Sequence, residues 1–260
     1  YDPNGQFESL GVGESSSDSF SYTLSDGNGG TDTANVTVNI DGVNDAPEAS
    51  EDVEVATTDE DNIVAIAASD LLANDTDVDD ANDTLSVDSV DGSGTTGAVS
   101  LSGGTVTYDP NGQFESLGVG ESSSDSFSYT LSDGNGGTDT ANVTVNIDGV
   151  NDAPEASEDV EVATTDEDNI VAIAASDLLA NDTDVDDAND TLSVDSVDGS
   201  GTTGAVSLSG GTVTYDPNGQ FESLGVGESS SDSFSYTLSD GNGGTDTANV
   251  TVNIDGVNDA

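Results

Sequence analysis

SFSYTLSDGNGGTDTANVTVNI, Ser126 to Ile147, alternates polar and apolar residues on both sides of a glycine-rich middle. In the second half Ala141, Val143, Val145 and Ile147 fall on one side of an extended chain, and Thr140, Asn142, Thr144 and Asn146 on the other. The first half does likewise with Phe127, Tyr129 and Leu131. Successive side chains of a strand point to opposite faces, so a period of two marks half-buried β-strands. Between them SDGNGGTD, Ser132 to Asp139, reads first as a hairpin loop with Asx-turn chemistry and only second as a ligand site.

Working outward, AVSLSGGTVTY (Ala98–Tyr108) reads as a second hairpin around Gly103-Gly104, a pair suited to positive φ. That register sets Leu101 opposite Val106 and Val99 opposite Tyr108, four residues on one face. Further strands are expected at Val53–Thr57, Ile63–Ala67 and Leu85–Val90. SDLLAN (Ser69–Asn74) reads as one helical turn capped by Ser69. Seven or so short antiparallel strands indicate an all-β Greek-key sandwich of immunoglobulin-like type.

YDPNGQFESL begins at Tyr1, Tyr108 and Tyr215, a period of 107 residues. Residues 1–45 match 108–152 and residues 46–107 match 153–214 without a substitution. A period of 107 is long enough to bury its own core, so this is a string of whole domains rather than a solenoid. The expected organisation is the C-terminal part of a repeat (1–45), a complete repeat (46–152), and a second complete repeat with the first residue of the next (153–260), arranged end to end. The joints are DGVNDAP, at Asp41–Pro47 and Asp148–Pro154, where a proline stops a strand-like run. The apolar face of the partial copy, Phe20, Tyr22, Leu24, Val36, Val38 and Ile40, needs its other half, either cut away or supplied by a neighbouring chain. Residue 1 is Tyr, so the chain reads as an excerpt.

Fifty-four Asp and Glu stand against no Lys, Arg or His, a formal charge of −54. Two carboxylates about 4 Å apart repel by roughly 1 kcal/mol in water and roughly 4 kcal/mol at an effective dielectric of 20. Such a chain stays unfolded or recruits cations, and the strand periodicity favours the second. Nucleic acid is excluded as a partner because phosphate contacts need Lys or Arg, and anionic membrane surfaces are excluded on the same ground. No run is long and apolar enough for a membrane-spanning helix. Without Cys a secreted domain lacks disulfide staples, and metal is the obvious substitute. Catalysis is set aside, since no His, Cys or Lys offers a base or nucleophile.

ANDTDVDDAND, Ala73 to Asp83, holds five aspartates: Asp75, Asp77, Asp79, Asp80 and Asp83. Its copy holds Asp182, Asp184, Asp186, Asp187 and Asp190. Oxygen-only clusters in a loop suit a hard cation, and Ca²⁺ above Mg²⁺, because Ca²⁺ accepts six to eight ligands in irregular geometry. The loop is not an EF-hand: Asp80 stands where Gly is wanted and Ser86 where a bidentate Glu is wanted. A second cluster, Glu60 and Asp61 with the copies Glu167 and Asp168, reads equally as a solvated turn or as ligands shared with the aspartate loop or the joint. Asn151 and Asp152, with acids of the next repeat such as Asp159 or Glu167, would place a calcium at the joint.

The run from NDAPEASEDVEVATTDED through LLANDTDVDD to DSFSYTLSDGNGGTDTANVTVNIDGVNDAP resembles the VCBS and cadherin-like tandem repeats of large, type I-secreted (RTX-type) bacterial adhesins. The resemblance implies cadherin-like domains, a secreted, cell-surface location, and calcium within or between repeats. Cadherins hold interdomain calcium with a D-x-N-D-N linker; here Asp148-Gly149-Val150-Asn151-Asp152 carries an additional residue and lacks the second Asn. The resemblance carries over to Asp148, Asn151 and Asp152, to Asp41, Asn44 and Asp45, and to the D-x-D pairs Asp75/Asp77 and Asp182/Asp184. It implies a structural spacer whose partners are neighbouring repeats and identical chains in a fibre, serving adhesion or biofilm. The alternative is a binding module for self-association, carbohydrate or a mineral surface.

Overall fold

The computed structural model describes residues 1–79, 83–186 and 190–258. The chain divides into two units, Tyr1–Gln113 with Ser123–Ile147, and Phe114–Ser122 with Asp148–Ala260. In the first, β1 (Ser15–Ser25) and β2 (Thr31–Asp41) form a two-stranded hairpin of eleven pairs, with Phe20 opposite Val36 and Tyr22 opposite Ala34. The complete repeat that follows adds β3 (Asp52–Asp59), β4 (Val64–Ala67), β5 (Ser86–Asp91), β6 (Ala98–Ser102), β7 (Thr105–Asp109), β8 (Ser122–Ser132) and β9 (Thr138–Asp148). One sheet runs β3-β9-β8-β5 and the other β4-β7-β6. These are the seven strands of the expected sandwich, and the β6–β7 hairpin keeps the expected register, Val99 with Tyr108 and Leu101 with Val106. Gly103 and Gly104 both take positive φ, 58° and 78°, which this two-residue turn requires.

The second unit repeats the plan with β10 (Asp159–Asp166), β11 (Val171–Ala174), β12 (Ser193–Asp198), β13 (Ala205–Ser209), β14 (Thr212–Asp216), β15 (Ser229–Ser239) and β16 (Thr245–Asp255). Its sheets run β10-β16-β15-β12 and β11-β14-β13. Strand β10 pairs parallel with β16 at the edge of its sheet, where the sequence pattern predicts antiparallel strands throughout. Apolar faces of the two sheets meet in one core: Ile173, Val213 and Tyr215 from one, Phe234, Tyr236, Leu238, Val250, Val252 and Ile254 from the other. The polar residues between them face out, so the alternation seen in the sequence becomes the inside and outside of the sandwich.

The helical turn exists, but its cap differs from expectation. Helix α1 spans Ala68–Leu71, so Ser69 lies within it, and no side chain caps it. The Ala68 N–H is satisfied instead by the Gly104 carbonyl of the β6–β7 turn at 2.9 Å. A backbone acceptor supplied by tertiary structure replaced the local cap.

The partial copy departs most from its sequence. Phe20, Tyr22 and Leu24, which read as core, are 46%, 49% and 64% exposed, whereas Phe127, Tyr129 and Leu131 are 3%, 1% and 0% exposed. Among the described residues of the unit, none buries Phe20, Tyr22 or Leu24, while Val36, Val38 and Ile40 on the partner strand are half-buried.

Candidate metal centre

The aspartate loop is tied to the joint that precedes it. Thr76 and Glu48 exchange both backbone hydrogen bonds, at 2.8 and 3.1 Å, which lays residues 45–50 alongside the loop. Asp75 sits beneath this clasp and accepts from the Ser50 N–H (2.8 Å) and the Tyr129 hydroxyl (2.9 Å). Asp182 does the same with Ser157 and Tyr236. Both tyrosine hydroxyls have their pKa raised far above the ordinary value, by burial and then by the carboxylate they bond. They stay protonated donors.

Beyond Asp75 the chain turns so that Asp77 Oδ1 accepts the Asp79 N–H at 2.9 Å, an Asx turn that the D-x-D spacing provides. Asp79 is 0% exposed, and its Oδ2 accepts the Asp45 N–H at 2.9 Å. Asn44 donates its amide to Asp133 Oδ2 at 2.7 Å. Asp133, 1% exposed, belongs to the loop between β8 and β9, where its Oδ1 accepts the N–H groups of Asn135, Gly136 and Gly137 at 2.7, 2.9 and 3.0 Å. Gly137 leaves the room this needs. A Cβ there would run into the Asp133 carboxylate and come within 2.9 Å of Ala46 Cα and 3.1 Å of Asn44 Nδ2. Asn135 in turn donates its amide to Asp83.

Three carboxylates, Asp77, Asp83 and Asp133, are thereby brought together with oxygens within 4.8 Å of one another. The second unit reproduces the arrangement with Asp184, Asp190 and Asp240. Burial pushes Asp133 upward, but the Asn44 amide and the loop N–H groups outweigh it and leave its pKa lowered. Asp83 has its pKa raised, by burial and by the charges of Asp77, Asp133 and Asp79, against the Asn135 hydrogen bond. In the second unit the raised member is Asp184, through burial and the charges of Asp190, Asp186 and Asp240, opposed by the Asp186 N–H.

Among the described residues, four buried oxygens here have no hydrogen-bond partner: Asn44 Oδ1, Asp77 Oδ2, Asp79 Oδ1 and Asp83 Oδ2. The same four atoms of the copy, on Asn151, Asp184, Asp186 and Asp190, are without partners too. Leaving a buried acceptor unmet costs about 1–3 kcal/mol, and more for a charged one. The chain holds no Lys, Arg or His with which to meet them. Hard oxygen donors, carboxylate and amide together, fit a divalent cation of the calcium type.

The predicted ligands thus fall into groups. Asn44, Asp45, Asp77, Asp79 and Asp83 converge, as do Asn151, Asp152, Asp184, Asp186 and Asp190, with the Asp152 N–H on Asp186 Oδ2 at 2.9 Å. Asp80 and Asp187 lie outside the described residues. Asp75 and Asp182 serve the tyrosines beneath. Asp61 and Asp168 are exposed in the turns after β3 and β10. Glu60 and Glu167 are each 2% exposed. Glu167 accepts the Val257 N–H at 2.7 Å, beyond the end of β16, whereas Asn151 bonds Asp240 in the loop before β16. Eleven residues of strand at about 3.3 Å each separate those two places, so Glu167 does not join Asn151. Asp159 is 8% exposed, and its pKa is pushed up to about 6 by burial and by the charge of Asp182. The residues that sequence reasoning ranked too low are Asp133 and Asp240. Their loop reads as a glycine-rich turn, which it is, and the same turn presents a buried carboxylate.

A model of the bacterial cadherin-like domain matches residues 44–149 and 151–256, and a model of the bacterial Ig domain matches residues 1–39. No curated protein sequence matches the chain. Among solved structures, mouse cadherin-23 EC22-24 is 18% identical, with 93% of this chain and 74% of that one covered and a TM-score of 0.50. Mouse protocadherin-24 EC1-3 is 16% identical, covering 92% and 79%, with a TM-score of 0.49. Human mucin-like protocadherin EC1-2 is 18% identical, covering 81% and 98%, with a TM-score of 0.43. Such cadherin-like domains are non-enzymatic. Two domain matches over most of the length, at residues 44–149 and 151–256, on seven-stranded sandwiches, show that the chain belongs to the bacterial cadherin-like domain family.

Proposed function

We propose that the chain is a spacer of a secreted bacterial adhesin or matrix fibre of the VCBS or RTX type, in which calcium fixes each joint to the repeat that follows it. The repeats are taken as 46–152 and 153–260, with 1–45 as the end of another. The observation that carries this reading is the pairing of the joint with the acidic loops of the repeat that follows. Asn151 and Asp152 stand three and four residues beyond β9, yet their polar groups engage Asp240 and Asp186 of the next repeat. A divalent cation held by Asn151, Asp184, Asp190 and Asp240 would meet the oxygens left without partners and damp the repulsion among the 23 carboxylates of each repeat. Residue-for-residue identity of the copies suits a part whose contribution is length.

Calcium titration of the chain, followed by calorimetry and by small-angle scattering, tests this. The expected result is saturable binding, a higher melting temperature in calcium than in chelator, and a longer, stiffer particle when calcium is bound. Heat-neutral titration with melting and scattering unchanged by chelator would overturn it.

A further inference from the structure

We infer that Asn111 and Asn218 are sites of covalent modification, where the side-chain amide is lost to water, and that the same Asn-Gly dipeptide at Asn135 and Asn242 is held back by the acids around it. Each complete repeat carries Asn-Gly twice, in the turn after β7 or β14 and in the loop between β8 and β9 or β15 and β16. The chemistry is common to all four. The glycine nitrogen attacks Cγ of the asparagine, forming a C–N bond, and the side-chain nitrogen leaves as ammonia with the proton that the glycine gave up. Water then opens the five-membered imide at either carbonyl, to aspartate or to isoaspartate. One water is consumed and one ammonia released, with no oxidation. The step needs a glycine N–H free to lose its proton and a carboxamide free to turn onto it. Glycine, with no Cβ, leaves that approach open.

The two environments differ in both requirements. In the loop between β8 and β9 the Gly136 N–H is bound to Asp133 Oδ1 at 2.9 Å, and the Asn135 carboxamide donates to Asp83. Gly243 and Asn242 are held in the same way by Asp240, at 2.9 Å, and by Asp190. Asp133 and Asp240 are each 1% exposed, so water competes little for these bonds. In the other turn the hydrogen bonds hold the frame and leave out the reacting groups. Asp109 Oδ1 accepts the Asn111 N–H at 2.8 Å, and the Pro110 carbonyl accepts the Gln113 N–H at 3.2 Å. The copy repeats this at Asp216 and Pro217, at 2.8 and 3.1 Å. Among the described residues, neither the Gly112 and Gly219 N–H groups nor the Asn111 and Asn218 carboxamides have a hydrogen-bond partner. All four residues are exposed, and a Cβ on Gly219 would meet no atom closer than Glu222 Oε1 at 3.9 Å. Asparagine and glycine suit this turn because both backbones take positive φ, 56° at Asn111 and 63° at Gly112. The turn thus calls for the very dipeptide that reacts. Each conversion adds a carboxylate to a chain without bases, and isoaspartate adds a main-chain carbon ahead of β8 or β15. The contrast lies in hydrogen bonds within each repeat and does not depend on a bound cation.

The test ages the 260-residue chain in mildly alkaline buffer, with calcium and with chelator. Asn4→Gln and Asn28→Gln are in place, so that only the complete repeats are read. Peptides cut at acidic residues are weighed for conversion of amide to acid, and isoaspartate is counted by enzymatic methylation. The two repeats give identical peptides, so each kind of loop is read as one. In the folded chain Asn111 and Asn218 should convert at least about tenfold faster than Asn135 and Asn242, with calcium or without. In denaturant the two kinds should converge, because the reacting dipeptide is the same. Asp83→Ala with Asp190→Ala, with melting curves showing both repeats folded, should speed Asn135 and Asn242 several-fold and leave Asn111 and Asn218 unchanged. Equal rates in the folded chain overturn the inference. So does a difference that persists in denaturant, or a folded Asp83→Ala, Asp190→Ala chain in which Asn135 and Asn242 are no faster.

Discussion

Residues 15–41 and residues 122–148 have one sequence and two fates. Both form hairpins with eleven-residue strands, and both close their loops on an aspartate: Asp26 accepts from Asn28 and Gly30 at 2.7 and 2.9 Å, as Asp133 does from Asn135 and Gly137. Strand, register and turn are thus local properties of these 27 residues. Burial is not, since Tyr22 is 49% exposed and Tyr129 is 1% exposed. Nor is the acidic centre, because among the described residues no counterpart of Asp77 or Asp83 groups with Asp26, whereas both group with Asp133. Strand pairing comes from neighbours in the chain, whereas a core and a cation site need partners about fifty residues away.

The comparison can be broken most forcefully in the core. Leu131→Ala should cost about 2–5 kcal/mol in denaturant unfolding of its repeat, the range for truncating a buried leucine. Leu24→Ala, the same change in the exposed copy, should stay within about 0.5 kcal/mol. Equal effects would mean that the two hairpins share one environment.

Next in size is the response to calcium. At free calcium of about 100 Kd each site should add about 2.7 kcal/mol, against the 5–15 kcal/mol by which such domains are stable. Asp133→Asn should remove the calcium-dependent rise in melting temperature from the first complete repeat and leave that of the second. Asp26→Asn should leave both. Asp77→Lys separates a metal site from a merely solvated loop, because relief of repulsion would stabilise the chain with or without calcium. A site instead loses its calcium response.

Smaller again is the effect of a single methyl. Gly137→Ala pushes on the backbone of Ala46 and the Asn44 amide as well as the Asp133 carboxylate, and about 1–3 kcal/mol of destabilisation should appear with weaker calcium affinity. For Gly30→Ala the three nearest atoms all belong to the flexible Asp26 side chain, so the change should cost less, read as hydrogen exchange within β1 and β2.

The smallest effect concerns acid, measured in chelator. Asp52 and Asp159 have their pKa raised to about 6, by burial first and then by the charge of Asp75 or Asp182. The folded state therefore holds these protons more tightly than the unfolded chain, whose carboxyls titrate near 3.9. Their contribution to stability is fully present below about pH 4 and is lost as pH rises through about 6. Asp26, Asp133 and Asp139 have lowered values, so their contributions exist above the ordinary carboxyl range and vanish as pH falls through it. Melting temperature should thus be higher at pH 5 than at pH 7, by about 4–8 °C for each kcal/mol regained, and fall again below pH 4. The first hairpin has no counterpart of Asp52, so its hydrogen exchange should lack the pH 5 gain.

Much of this molecule is written in its residue order. Alternation in TANVTVNI and SFSYTLS placed the strands and their inner faces, because a side-chain period of two needs no knowledge of what lies opposite. The glycine pair at 103 and 104 set the β6–β7 register, since only a two-residue turn with positive φ joins those strands. The absence of any basic residue pointed to a cation from outside the chain at the cluster of Asp77 and Asp79. Four things were decided only in three dimensions. Ala68 took a carbonyl from Gly104 in place of a cap at Ser69, because a neighbouring turn put an acceptor there. Asp133 joined Asp77 and Asp83 across fifty residues, and Glu167 was carried to Val257, away from Asn151, because the length of β16 separates the two ends of the sheet. Phe20 and Phe127, indistinguishable in sequence, became exposed and buried. Local pattern dictates which way a side chain points, and only the segment packed across from it dictates whether water is there.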